Sequence, residues 1–132
     1  MRWTTGEHQY TRYGFRELIK SRSVDILQPD VMWCGGLTEL LRISAMAAAY
    51  DIPVVPHGSG AYSYHFVVTQ PHCPFCEYLN TSPDCKSFPP VFGKMFINEQ
   101  VPVNGKIFPS DDPGWGLKLN RESLNLIRPY IV

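Results

Sequence analysis

Three short segments of this chain read as strands that end in a side chain able to do chemistry: Thr4-Thr5-Gly6-Glu7-His8, Asp25-Ile26-Leu27-Gln28-Pro29-Asp30 and Pro53-Val54-Val55-Pro56-His57. Helical patterns separate them, so successive strands are expected to run parallel. An acid, a base and a candidate metal ligand would then gather at the carboxyl edge of one sheet. This places the chain in the α/β class, with the layout of half an active site.

The intervening segments support that order. Residues 10 to 22 carry Tyr10, Phe15, Leu18 and Ile19 on one helically spaced stripe, with Arg12, Arg16, Glu17 and Lys20 elsewhere, the pattern of a helix covering a sheet. A strand over Val24 to Leu27 follows. Gly35-Gly36 breaks the chain, Thr38 offers a capping hydroxyl, and Glu39 lies beside the positive end of the next helix. Leu37, Leu40, Leu41, Ile43, Met46, Ala47 and Tyr50 continue that helix until Asp51-Ile52-Pro53 ends it. A third helix is predicted over Tyr62 to Gln70 and a fourth strand over Phe75 to Leu79.

Glu7, Asp30, His57 and Glu77 recur at intervals of roughly 20 to 27 residues, each long enough for one strand-loop-helix unit. A complete (β/α)₈ barrel needs about 250 residues and places its catalytic groups at the carboxyl ends of several strands. The 132 residues have room for about half of one. The expected fold is therefore the C-terminal half of a TIM-type barrel over residues 1–79, with about four parallel strands and three helices. From Asn80 onward the sequence is Pro-rich, and residues 80–132 read as an irregular or β tail packing on the barrel or on a capping domain. Within it Asn104-Gly105 is a strong hairpin signal.

Composition narrows the function classes. Twelve basic and twelve acidic residues cancel, with no like-charged block, so charge supports neither a nucleic-acid nor a membrane-surface role. The apolar run from Ile43 to Tyr50 is far shorter than the roughly 20 residues that span a bilayer. The residues after Met1 lack the apolar core of a secretory signal, so the expectation is a cytoplasmic protein with four reduced cysteines.

A set of ordered motifs carries a family resemblance. Gly6-Glu7-His8, Asp30-Val31-Met32-Trp33-Cys34-Gly35-Gly36-Leu37-Thr38-Glu39, Val55-Pro56-His57-Gly58-Ser59, Pro74-Phe75-Cys76-Glu77 and Pro113-Gly114-Trp115-Gly116 together resemble the C-terminal part of acid-sugar dehydratases of the L-rhamnonate type. Those enzymes belong to the mandelate racemase branch of the enolase superfamily. The resemblance covers almost the whole chain. It implies abstraction of the proton α to a sugar-acid carboxylate, such as that of L-rhamnonate, Mg²⁺ stabilisation of the enediolate, and loss of the β-hydroxyl as water to give a 2-keto-3-deoxy acid.

By the same resemblance, Glu7 matches the last of three acidic Mg²⁺ ligands, His57 the base, and Asp30 the partner that orients and charges it. Glu77 matches a carboxyl on the substrate side, and His8 would face the substrate or lie behind the metal ligand. Elementary chemistry agrees. A histidine titrates near neutrality, so it can take a proton and return one to the leaving hydroxyl, while a carboxylate on its other nitrogen favours the imidazolium. One carboxylate plus water holds Mg²⁺ poorly. The two earlier acidic ligands would lie before Met1, so catalysis by these residues alone is not expected, and the full-length form is expected to be an oligomer.

Other readings of the same residues stay open. Glu7 and Glu77 individually read as surface carboxylates, Asp30 as a turn residue and His57 as a loop histidine satisfied by backbone. The half-barrel could serve as a non-catalytic binding or assembly module. His72-Cys73-Pro74-Phe75-Cys76 with Cys85 offers thiols and an imidazole for a small structural zinc site, although the second half of the usual spacing is missing and Phe75 and Cys76 fall in a predicted buried strand. Gly58-Ser59-Gly60 lacks the lysine and glycine spacing of a phosphate loop. Tyr62, Tyr64 and Phe66 are read as core.

Overall fold

A computed structural model describes residues 1–58 and 60–123. Ser59, part of the Val55–Ser59 motif, and residues 124–132 of the predicted tail lie outside the described residues. The element order is β1 (Thr4–Thr5), α1 (Thr11–Lys20), β2 (Ile26–Leu27), α2 (Leu37–Ala48) and α3 (Ala61–Thr69).

The strands are short but their pairing is regular. β1 and β2 are parallel, with Thr4 opposite Ile26 and Thr5 opposite Leu27, and a parallel bridge from Leu27 to Val54 adds the third segment. The ladder continues past the formal strand ends. Gln28 N–H donates to Thr5 O at 2.9 Å, Val55 N–H to Leu27 O at 2.9 Å, and His57 N–H to Pro29 O at 3.0 Å. Three carboxyl-terminal strand ends are thereby locked side by side, which is what a parallel α/β layer requires.

The helices lie on one face of this layer because their apolar stripes need a partner. Phe15 and Ile19 of α1, Leu40, Ile43 and Ala47 of α2, and Leu27 and Val54 of the sheet have no exposed surface, and Phe66 of α3 joins them. Tyr10, expected on the same stripe, is instead exposed and leans on Trp33, with ring centroids 5.9 Å apart. The chain enters α1 there, with extended backbone at Tyr10, so that side chain precedes the helical stripe. Tyr64 and Phe66 are buried as expected, while Tyr62 packs edge-on against Phe92 and Trp115.

Two expectations are corrected. The start of α2 is capped by Gly36, at φ 85°, with no side-chain cap; Thr38 lies inside the first turn. Only glycine adopts that left-handed backbone without strain, so the Gly35-Gly36 break sets the helix start. The strand predicted over Phe75 to Leu79 is not formed among the described residues. The chain just before it meets the third segment through Val54 N–H donating to His72 O at 3.3 Å, and then diverges. Pro71 and Pro74, just upstream, remove two backbone donors from the segment leading into it, which disfavours a ladder. Phe75, expected buried, is exposed in consequence.

The tail folds back on itself. Asn104 and Gly105 both take positive φ, 51° and 72°, between Val103 and Lys106, whose backbones exchange hydrogen bonds of 2.8 and 3.1 Å, a tight two-residue hairpin. Phe96 bridges antiparallel to Leu119. Buried Glu99 accepts the N–H groups of Val91 at 2.7 Å and Phe92 at 3.0 Å, fixing the turn that presents Phe92 to Tyr62. No helix among the described residues is long and apolar enough to cross a membrane.

Candidate functional site

The site forms where the three locked strand ends meet the segment after His72. β1 runs into Gly6, whose φ of 132° turns the chain so that Gln9 N–H donates back to Gly6 O at 2.9 Å and Glu7 stands at the edge. β2 delivers Gln28 and, past Pro29, Asp30. The third segment delivers His57, its N–H held by Pro29 O. Neighbouring strand ends therefore set the spacing of these groups before any side chain acts.

His57 lies between two carboxylates. Its Nε2 is 3.1 Å from Oε2 of Glu7, and its Nδ1 is 2.8 Å from Oε2 of Glu77. Among the described residues Nδ1 is buried without a hydrogen-bond partner, so the short approach to Glu77 lies off the hydrogen-bond direction. The imidazole is about a quarter exposed. His8 lies on the outer side of Glu7, with Nδ1 3.7 Å from Oε1, and its ring meets Trp33 at 5.3 Å.

Glu77 is held through both of its oxygens. Gly58 N–H donates to its Oε2 at 2.7 Å and the Gln28 side-chain amide to its Oε1 at 2.8 Å. Asp30 sits at the end of β2 and accepts Met32 N–H on Oδ1 at 2.7 Å. Its charge reaches Cys34, whose thiol is pushed up to about 11, first by burial and then by Asp30. The structure thus brings Glu7, His8, His57 and Glu77 into one cluster, with Asp30 one residue beyond the carbonyl that holds His57. The nitrogen expected to face Asp30 has Glu77 beside it.

Gln28 was not singled out from the sequence. The available signal was its period: it precedes Asp30 by two residues on an extended segment, so the two share a sheet face.

A half-exposed carboxylate such as Glu7 is the hard oxygen donor that Mg²⁺ prefers. Among the described residues, however, no group of three or more His, Cys, Asp or Glu stands together as a metal site. The residues present fit one corner of an Mg²⁺ shell and not a complete one. The zinc alternative fares no better. His72 Nε2 is 2.9 Å from the Ser44 hydroxyl and Cys85 is exposed.

Residues 2–123 match the family described as enolase C-terminal domain-like. The chain belongs to that family. It is 51% identical over 130 residues, 98% of its length, to L-rhamnonate dehydratase from Saccharopolyspora erythraea, of which it covers 33%. Its backbone is similar to the crystal structure of L-rhamnonate dehydratase from Gibberella zeae, with a TM-score of 0.87 at 58% identity over 92% of this chain and 32% of that one. It is also similar to a mandelate racemase/muconate lactonizing enzyme from a marine actinobacterium in complex with magnesium, with a TM-score of 0.78 at 30% identity over 92% of this chain and 33% of that one. The chain spans about a third of the length of these relatives. The enolase C-terminal domain-like fold is an α/β fold of the TIM-barrel type, represented here by a small parallel sheet and three helices among the described residues.

Proposed function

We propose that this chain carries the proton-transfer part of an Mg²⁺-dependent acid-sugar dehydratase acting on L-rhamnonate or a closely related sugar acid. The observation that carries this reading is His57, at the carboxyl end of a parallel segment, set between Glu7 at a neighbouring strand end and Glu77. The likeness to L-rhamnonate dehydratases supports the substrate class.

In this reading His57 accepts the proton α to the substrate carboxylate, and the C–H electron pair moves into the carboxylate as an enediolate. Collapse of the enediolate breaks the β-carbon–oxygen bond, and the imidazolium returns its proton to the leaving hydroxyl, which departs as water. The enol left behind becomes the 2-keto-3-deoxy acid. Glu77, with Oε2 2.8 Å from Nδ1, faces the ring nitrogen that Glu7 does not. Asp30, at the neighbouring strand end, is assigned the ring-orienting role by the family likeness, and His8 faces the substrate. Mg²⁺, with Glu7 as one ligand, would supply charge stabilisation for the enediolate. Two further protein ligands must come from outside these 132 residues, so the chain is inactive alone.

The test is a chimera in which this chain replaces the matching third of the Saccharopolyspora erythraea enzyme. It should release a 2-keto-3-deoxy acid from L-rhamnonate with Mg²⁺, and His57→Asn should lower the rate by about 10²–10⁴-fold, the usual worth of a positioned acid–base group. Turnover that survives His57→Asn, or turnover by the isolated chain, would overturn the reading.

A further inference from the structure

Glu77 reaches His57 from a stretch of chain that no sheet ladder holds in place. The backbone bond from Val54 to His72 O lies five residues before it, and the stretch over Phe75 to Leu79 is not a strand. A carboxylate on such a segment is free to rotate unless its own oxygens are fixed. Gly58 N–H takes Oε2 and the Gln28 amide takes Oε1, at 2.7 and 2.8 Å. One donor on each oxygen fixes the plane of the group, and that plane puts Oε2 2.8 Å from Nδ1 of His57.

Gln28 is equipped to act as the fixed point. Its backbone N–H is bonded to Thr5 O at 2.9 Å, and Pro29 after it is fully buried. Its side-chain Oε1 lies 3.4 Å from the Thr4 hydroxyl, so the carbonyl end faces β1 and the amide end faces Glu77. The amide is also neutral. A lysine or arginine in its place would form an ion pair with Glu77, whereas an amide orients the carboxylate without adding a charge.

We infer that Gln28 is a positioning residue, bridging two parallel strand ends to hold Glu77 against His57. The inference rests on His57 being the reacting base. Its removal should therefore lower turnover through Glu77 alone.

The experiment is a double-mutant cycle in the same chimera, with Gln28→Met, which keeps the shape and loses the donor, Glu77→Gln, and the pair together. Gln28→Met should lower kcat on L-rhamnonate by about 10–100-fold, the scale of a small misplacement of a catalytic group, with KM changed less than about threefold. In the Glu77→Gln background it should cost nothing more. Gln28→Glu, which sets carboxylate against carboxylate, serves as the second variant should Gln28→Met fail to fold, and the same absence of further loss is expected of it. Losses that multiply in the double variant, or a change confined to KM, would overturn the role of Gln28 while leaving the dehydratase reading intact. A silent unmutated chimera would overturn both.

Discussion

Arg12 and Glu39, 27 residues apart in sequence, are joined three times over: the Arg12 backbone N–H donates to Oε1 at 2.8 Å, and its Nη1 lies 3.0 Å from Oε1 and 2.7 Å from Oε2. Arg42 adds a contact at 3.1 Å from within α2. The carboxylate ties the first turn of α1 to the first turn of α2, and these two helices cover the sheet behind the site.

This tie predicts a pH dependence. The Arg12 backbone hydrogen bond, reinforced by Arg42 and by the charge of Arg12, holds the Glu39 carboxyl below its ordinary value of 4.5 against the opposing effect of burial. A carboxyl depressed on folding stabilises the fold above its unfolded pKa, and that stability is lost as pH falls through the folded value. Glu39→Gln should therefore unfold at lower denaturant than the parent near neutrality, with the gap closing as pH drops below about 4.5. Urea midpoints measured across that range check it.

Gly6 sets the turn that presents Glu7, and it has no room for a side chain. A Cβ there would lie 2.8 Å from Cε1 of Phe15 and 3.3 Å from the backbone carbon of Gln28, at a φ that other residues rarely adopt. Phe15 has no exposed surface in which to yield. Gly6→Ala should destabilise the chain by about 1–3 kcal/mol, the usual cost of overpacking. Thermal denaturation reads that loss.

The thiols divide by environment. Burial pushes Cys34 and Cys73 up to about 11 and Cys76 up to about 12, the last also feeling the charge of Glu77. Cys85 is exposed. Because the thiolate is the reactive form, an aromatic disulfide reagent at pH 8 should modify Cys85 quickly and the other three only after denaturant is added. Peptide mapping of the modified protein identifies the sites.

Much of the fold was legible locally. Phe15 and Ile19, and Leu40, Ile43 and Ala47, announce two helices because apolar residues at that spacing share one helical face, and both sets end in the core. The Asn104-Gly105 turn was equally plain, since few sequences tolerate two consecutive left-handed residues. The predicted strand over Phe75 to Leu79 misled because a local residue pattern says nothing about whether prolines upstream leave a ladder to join.

The order of strand ends, and with it the gathering of Glu7, Asp30 and His57 at one edge, was determined by the sequence alone: parallel strands joined by helices put all their carboxyl ends together. Which carboxylate meets which imidazole nitrogen was decided only by tertiary structure. Glu77 reaches Nδ1 of His57 because Gln28 and Gly58 hold it there, and those donors come from 49 and 19 residues away along the chain. Contacts between such distant residues depend on how helices and loops pack, which local spacing does not encode.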